Sequence, residues 1–303
     1  MKLMNYRTDG NMKLGISTDR GVLDVEFAGK RLAPGLELPA TASEVVAGGL
    51  QAISALKDIT NRALSSNNSE WWLDEAKLQI GPCVNAPGKI ICVGLNYRQH
   101  AIESNMDIPK YPILFNKFAN TLAGSGEEIP LPPGSDMVDY EAELAIVIGR
   151  RAKAVNRNEA LDYVFGYCNA NDLSARDFQL RTSQWMLGKS CDKFAPLGPY
   201  LVTFDEVGDP NALDIACRLN GETRQSSHTS DMIFPCDEIV SYISQHITLE
   251  PGDIILTGTP EGVIMGYPED RRIYLQDGDV VTVEIAKLGV LTNRLIGKPS
   301  TNK

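Results

Sequence analysis

Two glutamates stand two residues apart, Glu141 and Glu143, at the head of the run Leu144-Ala145-Ile146-Val147-Ile148. The run is apolar and β-branched, so it reads as a strand. Side chains alternate faces along a strand, so both glutamates point the same way. Their Cβ atoms then lie roughly 6.5–7 Å apart, at about 3.3 Å of rise per residue. Two carboxylates on one face of an apolar strand repel each other and resist burial. A divalent cation between them removes that cost. The plainer alternative is a strand edge with both glutamates in water.

Other strand candidates dominate the chain beyond residue 88. They are Lys89–Val93, Val164–Ala170, Tyr200–Thr203, Asp214–Leu219, Asp253–Thr257, Val280–Ile285 and Val290–Arg294, with a hairpin turn at Leu288-Gly289. Helices are expected around Asn158–Tyr163, after Asp172, and at Pro235–His246. Strands are not followed regularly by helices, which argues against a doubly wound parallel sheet. The expected class is α+β, mostly β: a mixed sheet rolled into a sandwich or a partly open barrel. Residues 1–82 read as a small α+β domain. Strands are expected near Lys13–Ser17 and Gly21–Phe27, then a helix from Ser43 to about Leu64, capped by Ser43. The breaker-rich stretch Gly81–Gly88 marks the boundary with a second domain over 88–298.

The 303 residues carry 29 basic and 39 acidic side chains, a net charge of −10. That balance disfavours a nucleic-acid partner. An anionic substrate must therefore be drawn in by a local positive site. The six cysteines, at 83, 92, 168, 191, 217 and 236, form no C-x-x-C pair. Their spacing suits neither a zinc site nor a disulfide framework. No apolar run approaches the roughly 18 residues of a membrane span, and the first residues lack the apolar core of a signal peptide. A cytoplasmic protein with reduced thiols is expected.

A third carboxylate belongs with the pair. The strand over Val164–Ala170 runs on to Asp172, and a helix-like segment follows. On such a helix Asp172, Arg176 and Gln179 fall at i, i+4 and i+7, on one face. Glu141, Glu143 and Asp172 offer only oxygen ligands, which suits Mg²⁺, Mn²⁺ or Ca²⁺ and argues against Zn²⁺. The alternative is that Asp172 simply caps a helix.

Of the three histidines, His100 stands out. If the chain turns helical after Asn96, His100 and Glu103 share a face at i, i+3. A carboxylate beside an imidazole orients it and raises its basicity, as a general base needs. A surface histidine in a mobile segment is the alternative. His246, at a helix C-terminus, reads as structural, and His228 as a loop residue. Gly188-Lys189-Ser190 lacks the glycine five residues upstream that a phosphate loop requires. Lys189 reads instead as a point charge for a carboxylate or enolate. In Leu256-Thr257-Gly258-Thr259-Pro260-Glu261-Gly262, backbone N–H groups and the Thr259 hydroxyl can hold an anionic end, although a tight turn explains the sequence nearly as well.

Together these stretches resemble the fumarylacetoacetate hydrolase family, in particular its bacterial acylpyruvase and oxaloacetate decarboxylase-like members. The resemblance covers roughly residues 88–297. It rests on Gly94–Ala101, Asp139–Leu144, Asn171–Asp177, Gly188–Ser190 and Leu256–Pro260 in that order. It implies a mixed β-roll, a Mg²⁺ or Mn²⁺ site and a homodimer. By the same resemblance Glu141, Glu143 and Asp172 are metal ligands, and His100, Glu103 and Lys189 act in catalysis. Arg176, Gln179 and Thr259 contact substrate, and Glu103 to about Asn120 forms a lid.

The expected reaction is metal-dependent hydrolysis of a C–C bond in an acylpyruvate, a small anionic keto acid. Oxaloacetate decarboxylation or keto-acid isomerisation uses the same parts without an attacking water. A rival of another class is a protein that binds keto acids without turnover. The His100–Glu103 pair speaks against it, because binding alone needs no base.

Overall fold

Leu144, Ile146 and Ile148 face one hydrophobic core, while Ala145 and Val147 face another. A strand buried on both faces needs apolar residues throughout, which is why this run shows no polar alternation. The structure is a computed structural model and describes residues 1–297. Residue 298, the expected end of the second domain, lies outside the described residues.

The chain opens with an antiparallel meander of β1 (Lys2–Thr8), β2 (Asn11–Thr18) and β3 (Gly21–Asp24). Strand β1 buries four consecutive residues, Leu3 to Tyr6, so its sequence carries no alternation. The strand expected over Gly21–Phe27 stops at Asp24. Its side chain accepts the Phe27 N–H at 2.9 Å and starts α1 (Val25–Leu32). A cap here overrides the β preference of Val25 and Phe27. Helix α2 (Ala42–Ser65) is capped by Thr41 rather than Ser43: the Thr41 hydroxyl accepts the Glu44 N–H at 3.3 Å. The Glu44 carboxylate accepts the Ala40 N–H in turn, close to a capping box. Short strands β4 (Trp72–Leu73) and β5 (Gln79–Ile80) pair with β3 and β1.

Next come β6 (Ile90–Gly94), α3 (Arg98–Glu103) and β7 (Ile113–Lys117), which returns antiparallel to β6. The lid expected over Glu103–Asn120 is therefore strand in part, because Ile113-Leu114-Phe115 pairs with the sheet. Irregular backbone is confined to 104–112 and the stretch beyond β7. Short strands β8 (Leu122–Ala123), β9 (Ile129–Pro130) and β10 (Val138–Asp139) precede the long hairpin of β11 (Ala142–Ile148) and β12 (Val164–Asn171). The helix expected near Asn158–Tyr163 is a 3-10 helix over Arg157–Tyr163.

Then follow β13 (Ser174–Ala175), α4 (Arg176–Gln179), α5 (Met186–Lys189), β14 (Ala195–Thr203) and α6 (Phe204–Val207). The chain finishes with β15 (Asp214–Leu219), β16 (Glu222–His228), α7 (Cys236–His246), β17 (Ile254–Leu256), β18 (Val280–Ile285) and β19 (Gly289–Ile296). Strand β16 is too polar to be read from sequence; it lies at a sheet edge, where polar residues are tolerated. His228 ends that strand rather than lying in a loop.

The large sheet runs β4-β3-β2-β1-β14-β12-β11-β17-β6-β7, and a smaller one runs β16-β15-β18-β19-β9. The fold is α+β and mostly β, in large mixed sheets, with no closed barrel among the described residues. Strand β1 pairs with β14, Leu3 opposite Leu201, so the sheet continues from the first eighty residues into the rest. One core likewise joins Val45 and Leu56 to Cys168 and Leu197. The start of β11, the end of β12 and the ends of β17 and β6 meet at one end of the sheet.

Candidate active site

Glu141 and Glu143 open β11, and antiparallel pairing sets Asn171 opposite Ala142, which brings Asp172 beside them. The Asp172 N–H donates to the Glu141 carbonyl at 2.9 Å and closes the ladder. Helix α4 begins only at Arg176, so Asp172 lies in the irregular link between β12 and β13. The single helical face expected for Asp172, Arg176 and Gln179 does not form. Arg176 and Gln179 do meet, Nη1 donating to Oε1 at 3.0 Å. One oxygen from each of Glu141, Glu143 and Asp172 lies within 4.8 Å of the others, and all three residues are buried.

Cations surround this trio. Lys189 Nζ sits 2.6 Å from Glu141 Oε2 and 2.8 Å from Asp172 Oδ2. Arg176 Nη2 lies 2.8 Å from Glu141 Oε1 and 2.9 Å from Asp139 Oδ2. Lys117, at the end of β7, pairs with Asp172 Oδ1 and donates to the Leu173 carbonyl at 3.1 Å. Burial alone pushes the Glu141 carboxyl up, but Lys189 and then Arg176 outweigh it and hold it at about 2. Burial likewise works against the charge on Lys189, and Asp172 and Glu141 overcome it.

Four buried carboxylates, Asp139, Glu141, Glu143 and Asp172, thus face three buried cations, Lys117, Arg176 and Lys189. Glu143 is left over. It accepts the Gly258 N–H at 2.7 Å. Burial, then Asp172 and Glu141 beside it, push its carboxyl well up. This oxygen-only donor set suits a hard divalent cation, which would favour the charged form of Glu143. The residues present therefore fit such an ion.

On the other side of the cavity, α3 carries the histidine. His100 Nδ1 lies 2.8 Å from Glu103 Oε1. The Glu103 carboxylate also accepts the Gly262 N–H at 3.0 and 3.1 Å, so it ties α3 to the loop after β17. Two amides of that loop, Gly258 and Gly262, are thus taken by the protein's own carboxylates rather than left for an anion. The Thr259 hydroxyl accepts from Gln225 Nε2 at 2.8 Å, which leaves its own proton to donate. Leu95, just before α3, has a φ of 54°, a conformation that a leucine rarely adopts.

These groups line one cavity of about 180 Å³: His100, Glu141, Glu143, Arg176, Gln179, Lys189 and Thr259 all border it. Glu103 and Asp172 stand behind, through His100 and Lys189. A larger hollow of about 590 Å³ opens between the β1–β2 turn and α1, but none of these groups borders it, so the smaller cavity is the functional candidate. Sequence reasoning missed four residues that build the site. Asp139 is fully buried and accepts from Arg176 and from the Ile264 and Met265 N–H groups. Lys117 neutralises Asp172. Asn96 binds the Thr257 and Phe234 carbonyls and holds α3 against β17. Gln225 reaches from β16 to the Ala142 N–H. Only Asp139, two residues before Glu141, lay where a sequence signal existed.

The family described as fumarylacetoacetate (FAA) hydrolase, C-terminal, matches residues 89–296. Oxaloacetate tautomerase FAHD2A, mitochondrial, of Bos taurus is 49% identical over 215 residues, which is 70% of this chain and 68% of that protein. Fumarylacetoacetate hydrolase from psychrophilic Exiguobacterium antarcticum shares the fold with a TM-score of 0.80 at 32% identity, over 98% of this chain and 100% of that one. Maleylpyruvate hydrolase from Sphingobium sp. SYK-6, solved with manganese(II) and pyruvate, has a TM-score of 0.76 at 27% identity, over 99% and 100%. Among the described residues, no helix is long and apolar enough to cross a membrane. The match over most of the length, with the fold to go with it, makes this chain a member of the fumarylacetoacetate hydrolase family.

Proposed function

We propose that this protein moves a proton at the carbon next to the carbonyl of a small 2-oxo acid. Oxaloacetate, interconverting between keto and enol forms, is the substrate that fits best. One observation carries the reading: His100, held by Glu103 behind it, borders the same cavity as Glu141 and Glu143 of the buried carboxylate trio. Its volume, about 180 Å³, falls below the roughly 300–1,000 Å³ of pockets that take drug-sized ligands. A four-carbon acid suits it. The cattle oxaloacetate tautomerase, 49% identical over 215 residues, supports the same substrate.

Glu141, Glu143 and Asp172 would hold Mg²⁺ or Mn²⁺. When bound, the ion acts as a Lewis acid on the 2-oxo group. The chain's own residues supply the rest. His100, its Nδ1 held by Glu103, offers its other ring nitrogen as the base that takes a proton from C3 and returns one to the enol oxygen or to carbon. Lys189 and Arg176 offset the negative charge that develops on the enolate. Gln179 and Thr259 orient the carboxylate ends by hydrogen bonding. Catalysis in the cytoplasm by a homodimer is part of the proposal; all six cysteines are free thiols, as reducing surroundings require.

A second reading is C–C hydrolysis of an acylpyruvate, favoured by the likeness to a maleylpyruvate hydrolase solved with pyruvate. There His100 would take a proton from water. Hydroxide would add to the distal carbonyl, and the C–C bond would break to release pyruvate as its enolate. Decarboxylation of oxaloacetate would release CO₂ and the same enolate, without the water. One assay separates the three: C3 proton exchange, pyruvate and CO₂ are followed separately on oxaloacetate and acetylpyruvate, before and after chelation and Mn²⁺ restoration. C3 exchange in oxaloacetate that outpaces both other products is the expected result. If no chemistry occurs on either acid while both bind, the protein is a keto-acid binder and the proposal fails.

A further inference from the structure

We infer that Trp185 sets the length of tail that the cavity admits; the inference deepens the 2-oxo acid reading and rests on it. Trp185 precedes α5, and its ring borders the cavity. A Cβ on Gly94, at the end of β6, would lie 2.6 Å from the indole Cζ3 and 3.1 Å from Cη2. Gly94 is not among the residues of positive φ, so its backbone does not demand glycine. The missing side chain makes room for the indole. Phe115 of β7 meets the same ring edge-on, centroids 5.4 Å apart at 69°. Lys189 Nζ lies 4.9 Å from the Phe115 ring centre, so this apolar wall runs directly into the charged floor.

The backbone fixes the same register. The Gly188 and Lys189 N–H groups donate to the Trp185 carbonyl at 3.1 and 3.2 Å. The turn that delivers the ammonium to Glu141 and Asp172 therefore starts at the residue that delivers the wall. Along the same segment Leu180, Met186 and Leu187 stay exposed. Trp185 is the one large apolar side chain there that packs.

For an uncharged tail, the floor offers no free charge and leaves recognition to shape. The two cations that border the cavity are both committed: Arg176 to Asp139 and Glu141, Lys189 to Glu141 and Asp172. The acid head is held among these charges, so the tail extends toward the indole and its neighbours. A wall of this kind discriminates by about 10–200-fold per methylene. Removing the indole frees the space in front of Gly94.

Calorimetric titration of the Mn²⁺-loaded protein with pyruvate, 2-oxobutyrate, 2-oxopentanoate and 2-oxohexanoate tests the gate without reference to turnover. The wild type is expected to bind 2-oxohexanoate at least about tenfold more weakly than 2-oxobutyrate. In Trp185→Ala the gap closes, with pyruvate binding little changed. Trp185→Phe keeps a ring against Gly94 and should close the gap in part. It decides the matter if circular dichroism shows the alanine variant unfolded. A wild-type series without that drop overturns the gate. So does an equal loss of affinity for all four acids in the folded variants, which would make Trp185 merely structural. If the wild type binds none of the acids, the 2-oxo acid reading itself falls, and the gate with it.

Discussion

The floor of the cavity and its mouth obey different rules. On the floor, Asp139, Glu141, Glu143, Asp172, Arg176, Lys117 and Lys189 are all buried, and each is held by partners from other segments. At the mouth, Met106 and Leu180 border the cavity and are more than half exposed, as are Ile102, Ile108, Tyr111 and Leu187 in the same two chain segments. Tyr111 finds a partner, stacked 6.4 Å from Tyr242 of α7, but its neighbours have little to hold them. Ions buried this deeply must be paired or neutralised, so the floor tolerates little change. The mouth has few packed contacts and is free to vary. On the proposed reading, the reaction belongs to the packed floor, and Trp185, packed against Gly94, limits the tail.

The largest expected effect is on proton transfer. His100 stands where the two regions meet: it is buried, yet it is carried by a short helix that leads into the exposed 104–112 segment. A His100→Ala enzyme should lose about 10²–10⁴ in the rate of C3 proton exchange, the usual contribution of a positioned acid–base group. Binding of pyruvate should persist, because the floor is intact. Exchange at the wild-type rate would move the base elsewhere and dissolve the division of roles.

Next in size is a stability effect confined to the floor. Asp172→Ala leaves Lys117 without a carboxylate and Lys189 with only Glu141. Breaking a buried pair from one side typically costs about 3–5 kcal/mol, read as a lower urea midpoint in metal-free buffer. A cost under about 1 kcal/mol would show that the floor relaxes as easily as the mouth. Lys189→Met should follow, with a fall of about 10²–10³ in turnover from one lost electrostatic contact. Steady-state kinetics on oxaloacetate measure it, and a change in KM alone would reassign Lys189 to ground-state binding.

The same division governed what could be read from the sequence. The floor was legible where chemistry clashes with context: Glu141 and Glu143 beside an apolar run have no ordinary place in a core. The roles of Asp139 and Lys117 were not, because each acts through a partner distant in sequence, Arg176 and Asp172. All ten expected strands appear, β14 starting five residues early and the rest within about three residues of their places, since apolar β-branched runs are local signals. Strands β1 and β16 escaped, one buried without alternation and the other polar at an edge. The helical register drawn through Asp172, Arg176 and Gln179 failed because a ladder bond to Glu141 holds Asp172 at the end of the β11–β12 hairpin. At the mouth only the family resemblance spoke, through the lid expected over Glu103 to about Asn120. Trp185 carries no signal in the sequence; its fit against Gly94 shows only in the structure.

The smallest expected effect sharpens the contrast from the other side. Leu187 lies in α5, two residues before Lys189, and its side chain is 56% exposed. Sequence proximity to the ammonium suggests sensitivity; exposure argues otherwise. A surface change away from caps and buried pairs usually stays within about 0.5 kcal/mol, so Leu187→Ser should unfold at nearly the wild-type urea concentration. If it costs as much as Asp172→Ala, Leu187 is covered in solution, and a second copy of the chain is the first occupant to seek by sedimentation. If it costs nothing, two residues of one short helix belong to opposite regimes. Burial, rather than distance from the reacting groups, then marks where the floor ends.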